Sequence, residues 1–233
     1  EDEGEVADLL NIEISRQSAS VTLRQTAYID KLTKEWFPEG PPAHVQLNSV
    51  PHPENIRELV IHATGEGAAP ADPTLINKYR KLVGALLYAA TSTRPDIAYA
   101  TSMLCRAMSK PTDELLAAAL RVLAYLSRHK QVGLRYTPCT RPLEGFADAD
   151  WAVRHSQSGF VFQLGRAAVS WGSKKQVSVA LSTCEAEIMA ASEAAKEAIH
   201  LRGLYNELSR GKSEPTRLHL DCKAAIDTAY NPE

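Results

Sequence analysis

Acidic side chains fall at regular intervals through the last third of this sequence: Asp148 and Asp150, Glu185 and Glu187, then Asp221. Carboxylates that converge repel one another unless a cation neutralises them, and an all-oxygen donor set suits Mg²⁺ or Mn²⁺. Ions held this way bind phosphate oxygens, activate a water and stabilise a leaving oxygen, which is the two-metal chemistry of nucleases. Taken one at a time, each acid equally suits a helix cap or a solvated surface. What singles out Asp148, Glu187 and Asp221 is that they arrive in the order strand, helix, strand.

The elements that must position them follow from hydrophobic period. Residues 143–148 alternate and end in acids, while 158–164 and 167–171 flank Gly165-Arg166, a compact hairpin turn. Ser182-Thr183 caps a long Ala-rich helix over 185–208, residues 217–220 make a strand that ends at Asp221, and 223–230 form a short helix. The order is β-β-β-α-β-α, beginning near Pro142. In an open α/β sheet, side chains at strand ends converge in a crevice. Glu187 shares a helix side with Ala191, Ala194 and Ala198, small enough to let the helix lie close to a sheet and bring Glu187 toward both aspartates.

Upstream the pattern is different. Residues 6–15 and 20–24 read as two strands joined by a polar turn at 16–19, and Tyr28, Ile29, Leu32 and Trp36 mark a short amphipathic helix over 25–37. Residues 41–73 are rich in Pro, Gly and His without period and read as a linker or draped loop. Helices are expected over 75–91, 94–108 and 112–130, the last with Thr112 as its N-cap. The expected organisation is therefore 1–40, a hairpin and helix; 41–73, a linker; 74–141, a helical module; and 142–233, an α/β domain.

Charge follows this division. The 233-residue chain has a net charge of −2, yet residues 74–141 carry 11 basic against 3 acidic groups, and residues 1–40 carry 4 against 9. A basic helical region beside clustered acids fits a protein that grips a polyanion in one place and holds cations in another. Structural zinc is not expected, because Cys105, Cys139, Cys184 and Cys222 are widely spaced with no Cys-x-x-Cys, and reduced thiols inside a cell are the reading. The longest apolar run, residues 83–90, is far short of the ~20 residues of a membrane span, so no membrane partner is expected. No basic-then-apolar leader opens the sequence, and secretion is not expected. The first residue is Glu1, so the chain is expected to be a piece of something longer. Gly65-Glu-Gly67 is a lone G-x-G with no strand before it and carries no dinucleotide reading.

Several blocks carry a resemblance: Tyr79-Arg-Lys-Leu-Val-Gly-Ala-Leu-Leu-Tyr88, Thr93-Arg-Pro-Asp-Ile97, Gly145-Phe-Ala-Asp-Ala-Asp-Trp151 and Ser158-Gly-Phe-Val-Phe162. They continue as Ser170-Trp-Gly-Ser-Lys-Lys-Gln176, Val179-Ala-Leu-Ser-Thr-Cys-Glu-Ala-Glu187 and Asp221-Cys-Lys-Ala-Ala-Ile226. In order and spacing they resemble the Pol polyprotein of copia-type LTR retrotransposons, from the end of the reverse transcriptase into its ribonuclease H domain. Asp8-Leu-Leu-Asn-Ile-Glu-Ile14 and Leu23-Arg-Gln-Thr-Ala-Tyr28 are similar to the last palm strands and the helix after them.

The resemblance implies a ribonuclease H-like mixed sheet, preceded by a mostly helical, thumb- or connection-like module with a small hairpin. It implies two Mg²⁺ (or Mn²⁺) ions and endonucleolytic cleavage of the RNA strand of an RNA–DNA hybrid. The partners implied are that hybrid and the rest of the polyprotein, in the cytoplasm, a virus-like particle or the nucleus. Asp148, Glu187 and Asp221 match the family's catalytic, metal-binding acids. Glu187 fits better than Glu185 because an apolar residue follows it, and Asp150 and Glu185 are second choices. The polymerase's Tyr-x-Asp-Asp is absent, so DNA synthesis by this chain alone is not expected. The family's fourth acid is expected beyond Glu233, and Cys222 stands where the family often has Asn. The alternative is a catalytically silent remnant that binds nucleic acid. In either case Arg121, Arg128, Lys130, Lys174 and Lys175 are the candidate phosphate contacts.

Overall fold

The computed structural model describes residues 6–41, 50–67, 70–138, 142–152, 155–209 and 214–231. Cys139 lies outside the described residues. The chain divides into two compact units, residues 1–135 and 136–233. That boundary falls six positions before the expected one at 141/142, and the three expected upstream segments form a single unit.

The first unit opens with strands β1 (Asp8–Leu9), β2 (Ile12–Gln17) and β3 (Ser20–Arg24), with β4 (Leu134–Tyr136) completing a sheet of order β1-β2-β3-β4. The strand expected over 6–15 folds back on itself, because Leu10 and Asn11 both take left-handed backbone (φ 53° and 61°) and turn β1 against β2. Asn tolerates that region and Leu does not, so no turn residue at position 10 announces the reversal. Helices α1 (Thr26–Trp36), α2 (Ile56–Thr64), α3 (Pro73–Ser92), α4 (Ala98–Cys105) and α5 (Asp113–Arg128) pack around one core. Asp72 caps α3 by accepting from the Leu75 N–H at 3.1 Å, and Thr112 caps α5 through the Leu115 N–H at 3.3 Å.

Helix α2 corrects the reading of 41–73 as a linker. It is nine residues long and buries Ile56, Val60 and Ala63, a single stripe at i, i+4 and i+7. Flanking Pro, Gly and His obscure so short a period, and packing against the core rather than propensity supports the helix. At the centre of the unit, Arg94 is wholly buried. Its Nε and Nη2 donate to Asp96 at 2.9 and 2.7 Å, and its Nη1 donates to the His129 carbonyl at 3.0 Å. The Tyr125 hydroxyl donates to the same Asp96 carboxylate at 2.9 Å, beneath the Arg94 guanidinium.

The second unit contains β5 (Glu144–Asp150), β6 (Gln157–Leu164), β7 (Ala167–Lys175), α6 (Thr183–Ser209), β8 (Arg217–His219) and α7 (Lys223–Tyr230). The sheet order is β7-β6-β5-β8; β5, β6 and β7 are antiparallel neighbours, and β8 runs parallel to β5. Gly165, at φ 74°, makes the β6–β7 turn. Helix α6 lies on β5 and β6 and buries Ala186, Ala190 and Ala194, with Glu187 beside that stripe and Ala191 only half-buried. Ala147, Phe162 and Ala194 form the buried core, with Phe160, Val169, Leu218 and Leu220 around it. Gly145 of β5 pairs with Phe162, and a side chain at 145 would fall on the Phe162 ring. Among the described residues no helix is long and apolar enough to cross a membrane.

Candidate functional site

Each of the three acids is delivered by a different element. Asp148 lies near the end of β5, opposite Gly159 of β6. Glu187 sits in the second turn of α6, and Asp221 follows β8 just before α7. One carboxylate oxygen from each lies within 4.8 Å of the other two. Asp148 and Asp221 are exposed, whereas Glu187 is 8% exposed.

The start of α6 is tied to the sheet by polar contacts. The buried Gln176, just past β7, donates from Nε2 to the Ser158 hydroxyl and to the Ala186 carbonyl, both at 2.9 Å. This holds the turn of α6 immediately before Glu187. The Trp151 indole donates to the Ala180 carbonyl at 3.2 Å, linking the end of β5 to the segment that leads into α6. Further along, the Ser170 hydroxyl donates to Glu197 at 2.6 Å. Gln176 was not singled out from sequence; its only trace there is a lone amide after two lysines at a strand end.

Burial pushes the Glu187 carboxyl above its ordinary value, and the charges of Asp148 and Asp221 push it the same way. An N–H from Ala149 opposes the shift without cancelling it, and Glu187 Oε2 is buried with no hydrogen-bond partner. None of the three acids forms an ion pair with a Lys, Arg or His among the described residues. A buried oxygen without a donor, among three carboxylates without a countercharge, is a donor set that fits a hard divalent cation.

The remaining expected residues go elsewhere. Glu185 accepts from the Leu181 N–H at 2.7 Å while its own N–H bonds the Ser182 hydroxyl at 3.1 Å, so it belongs to the cap of α6 and not to the acid group. Asp150 ends β5 opposite Gln157 and is likewise outside that group. Lys174 and Lys175, exposed at the end of β7, line a cavity of about 310 Å³ together with Ser158, Met189 and Ser192. In the first unit Lys130 is held by Asp30 at 2.8 Å, tying the end of α5 to α1. Arg121 is half-buried on α5, and Arg128 is exposed in its last turn. At least four of the basic groups of residues 74–141 are occupied within the unit: Arg80 on the Met108 carbonyl, Lys81 on Glu35, Arg94 on Asp96 and Lys130 on Asp30.

Beside the acids lie two thiols. Cys184 precedes Glu187 by one turn and Cys222 follows Asp221; both are unbridged and half-buried. Desolvation, then Cys222 and Glu187, hold the Cys184 thiol above its ordinary value.

No family model and no solved structure matches the chain. Among curated proteins it is 32% identical over 243 residues to the retrovirus-related Pol polyprotein from transposon TNT 1-94 of Nicotiana tabacum, across 99% of this chain and 17% of that protein. It is 32% identical over 237 residues to the retrovirus-related Pol polyprotein from transposon RE1 of Arabidopsis thaliana, across 99% of this chain and 15% of that one. A third relative, secreted RxLR effector protein 161 of Plasmopara viticola, is 45% identical over 128 residues, 53% of this chain and 90% of its own length. The chain thus spans about a sixth of the Pol polyproteins it matches end to end.

Proposed function

The chain belongs to the copia-type retrovirus-related Pol polyproteins, and on that footing we propose that its second unit is a ribonuclease H-like domain that hydrolyses the RNA strand of RNA–DNA hybrids. The observation that carries this reading is the meeting of Asp148, Glu187 and Asp221 within 4.8 Å, from strand, helix and strand, with no ion-paired Lys, Arg or His among the described residues. The parallel β8 beside β5 supports it, because that placement is what brings two strand-end acids to one edge of the sheet.

Asp148, Glu187 and Asp221 would hold the divalent ions. When bound, Mg²⁺ would supply water activation and stabilisation of the leaving 3′ oxygen, giving a 5′-phosphate product. The protein's own groups fix where that happens. Gln176 and Trp151 hold the start of α6, the Ala149 N–H sets one oxygen of Glu187, and the burial of Glu187 keeps bulk water from that side of the site. Asp148 and Asp221, open to solvent, leave the face on which a phosphodiester can approach. Lys174 and Lys175 are the cations of this unit placed near α6 that suit a hybrid's phosphates, read by backbone charge and 2′-hydroxyls rather than by sequence.

Asp148→Asn tests the reading. On an end-labelled hybrid with Mg²⁺, the parent chain is expected to cleave the RNA strand, and the variant is expected to cleave it at least about a hundredfold more slowly, the loss typical when charge stabilisation of a transition state is removed. Equal hybrid binding with no cleavage by either protein would instead favour a silent nucleic-acid-binding remnant.

A further inference from the structure

The segment between β7 and α6, residues 176–182, buries Gln176 and Ala180 and turns its larger apolar side chains outward. Val177 and Leu181 are 95% and 85% exposed, and Val179 is 45% exposed. The Trp151 indole, itself 39% exposed, donates to the Ala180 carbonyl and so lies against the residue between Val179 and Leu181. Apolar side chains scattered singly over a surface need no explanation, but three on one short segment with a tryptophan beside them do. The backbone is held at both ends of the segment: the Gln176 N–H donates to the Ser156 carbonyl at 2.8 Å, and the Leu181 N–H donates to Glu185 at 2.7 Å. A surface fixed in this way loses little conformational freedom when it is covered.

What flanks the segment points to what covers it. On one side the exposed Lys174 and Lys175 end β7 and line, with Val177 and Ser178, a single cavity. On the other the segment leads into the turn of α6 that carries Glu187, and Trp151 stands three residues past Asp148. Lysines at one end and a cation-holding acid group at the other complement a polyanion. Between its phosphates a nucleic-acid strand presents sugar rings, and A-form helices display the sugar hydroxyls in a wide, shallow minor groove.

We propose that Trp151, Val177, Val179 and Leu181 form an apolar ridge that packs against the sugar rings of an RNA–DNA hybrid, between phosphates taken by Lys174 and Lys175 and the phosphate at the acid group. The choice of partner rests on the ribonuclease H-like reading above. Sugars are common to every sequence, so the ridge adds affinity without base preference, and being uncharged it adds affinity that salt does not screen.

The test uses the full chain and a fluorescently labelled hybrid. Binding is followed by anisotropy across a salt series with Ca²⁺ in place of Mg²⁺, and Mg²⁺-dependent cleavage is assayed separately. Val179→Ser combined with Leu181→Ser alters only exposed side chains, so the fold is expected to melt as in the parent. Binding is expected to weaken at least about tenfold at every salt concentration, the scale of withdrawing two aliphatic side chains from a dry contact, while the slope of log K against log salt stays as in the parent. Lys174→Ala combined with Lys175→Ala is expected instead to make that slope shallower by about two. Parent-like affinity of the Val179 and Leu181 variant would overturn the proposal and leave the ridge to a protein partner, whether or not the parent cleaves. A loss of affinity with a shallower slope would overturn it too. A parent chain that binds through the ridge but cleaves nothing with Mg²⁺ would remove the hydrolase reading and keep the ridge, whereas a parent that does not bind the hybrid would remove both.

Discussion

Both units of this protein bury charge, and they treat it in opposite ways. In the first, the wholly buried Arg94 guanidinium meets the Asp96 carboxylate in two hydrogen bonds and gives a third to a backbone carbonyl, while Tyr125 donates to the same carboxylate. The buried Arg94 charge is met from within its own unit by Asp96, whose carboxylate also reaches solvent. In the second, Glu187 is buried beside Asp148 and Asp221, all three are acids, and one of its oxygens has no partner. An internal ion pair is what a folding element needs, whereas charge of one sign gathered together raises the energy of the fold until a proton or a cation neutralises part of it. Two sequence blocks that look alike as polar motifs, Thr93-Arg-Pro-Asp-Ile97 and Gly145-Phe-Ala-Asp-Ala-Asp-Trp151, thus have different surroundings: one joins helices and the other carries an acid of the candidate site.

The sharpest way to break this contrast is Arg94→Met. The variant loses the hydrogen bonds from Arg94 to the exposed Asp96 carboxylate and leaves the His129 carbonyl without its donor, and the expected loss is about 3 kcal/mol of stability in the first unit. Thermal or urea unfolding would read it as an early transition. The response of the second unit to Mg²⁺ or Mn²⁺ is expected to stay as in the parent, since neither Arg94 nor Asp96 belongs to the acid group. A variant that unfolds like the parent would mean that the Arg94 network is not the structural device described.

That contrast was only half legible in the sequence. The three acids could be picked out because strand, helix and strand periods fix where each element ends, and ends are where Asp148 and Asp221 sit; the structure brings together the residues so chosen. Glu185 and Glu187 could not be separated by period alone. Both lie within the first two turns of α6, and their roles differ by which backbone N–H their carboxylates reach, Leu181 for Glu185 and Ala149 for Glu187. The role of Arg94 was invisible, because a single Arg-Pro-Asp reads as a helix start, and only tertiary packing takes its guanidinium out of water. Helix α2 was missed because its three core residues are too few to raise a period above the prolines and glycines around them. The basic excess of residues 74–141 was read as a polyanion surface, yet part of it is consumed in ion pairs and caps that composition cannot show.

A smaller effect is expected where the second unit is built from fit and not from charge. Gly145 lies against Phe162, and Phe162 is fully buried at the centre of that unit's core. Gly145→Val pushes a branched side chain into the ring, and overpacking of this kind costs about 1–3 kcal/mol. The expected result is a lower unfolding temperature for the second unit with the first unit unchanged, and weaker cation binding because Asp148 rides on the displaced strand. If β5 accepts valine without loss, Phe162 has room to turn away and the close fit described at this position is not what positions Asp148.

The smallest predicted change is also the one that separates site from scaffold most directly, because it has the opposite sign. Glu187→Gln keeps the shape of the side chain and removes its charge. Since burial and the neighbouring aspartates raise the folded-state value of Glu187 above its ordinary 4.5, the folded protein holds that proton more tightly than the unfolded chain does. The associated stability is therefore fully present below the ordinary carboxylate value and is lost as pH rises through the raised one. At neutral pH without divalent ions, the variant is expected to be more stable than the parent, by about 1 kcal/mol on the scale of relieving one unsatisfied buried group. The gain is expected to vanish as pH falls below the ordinary value, where the parent carboxyl is already neutral. Saturating Mg²⁺ or Mn²⁺ should reverse the ranking at neutral pH: the parent gains stability by binding, by about 2.7 kcal/mol at a hundredfold excess over Kd, and the variant gains much less. Melting curves of both proteins at two pH values, with and without the ion, decide it. A variant less stable than the parent at neutral pH in metal-free buffer would show that the Glu187 charge is compensated within the fold, as the charge of Arg94 is, and would remove the distinction between the two units.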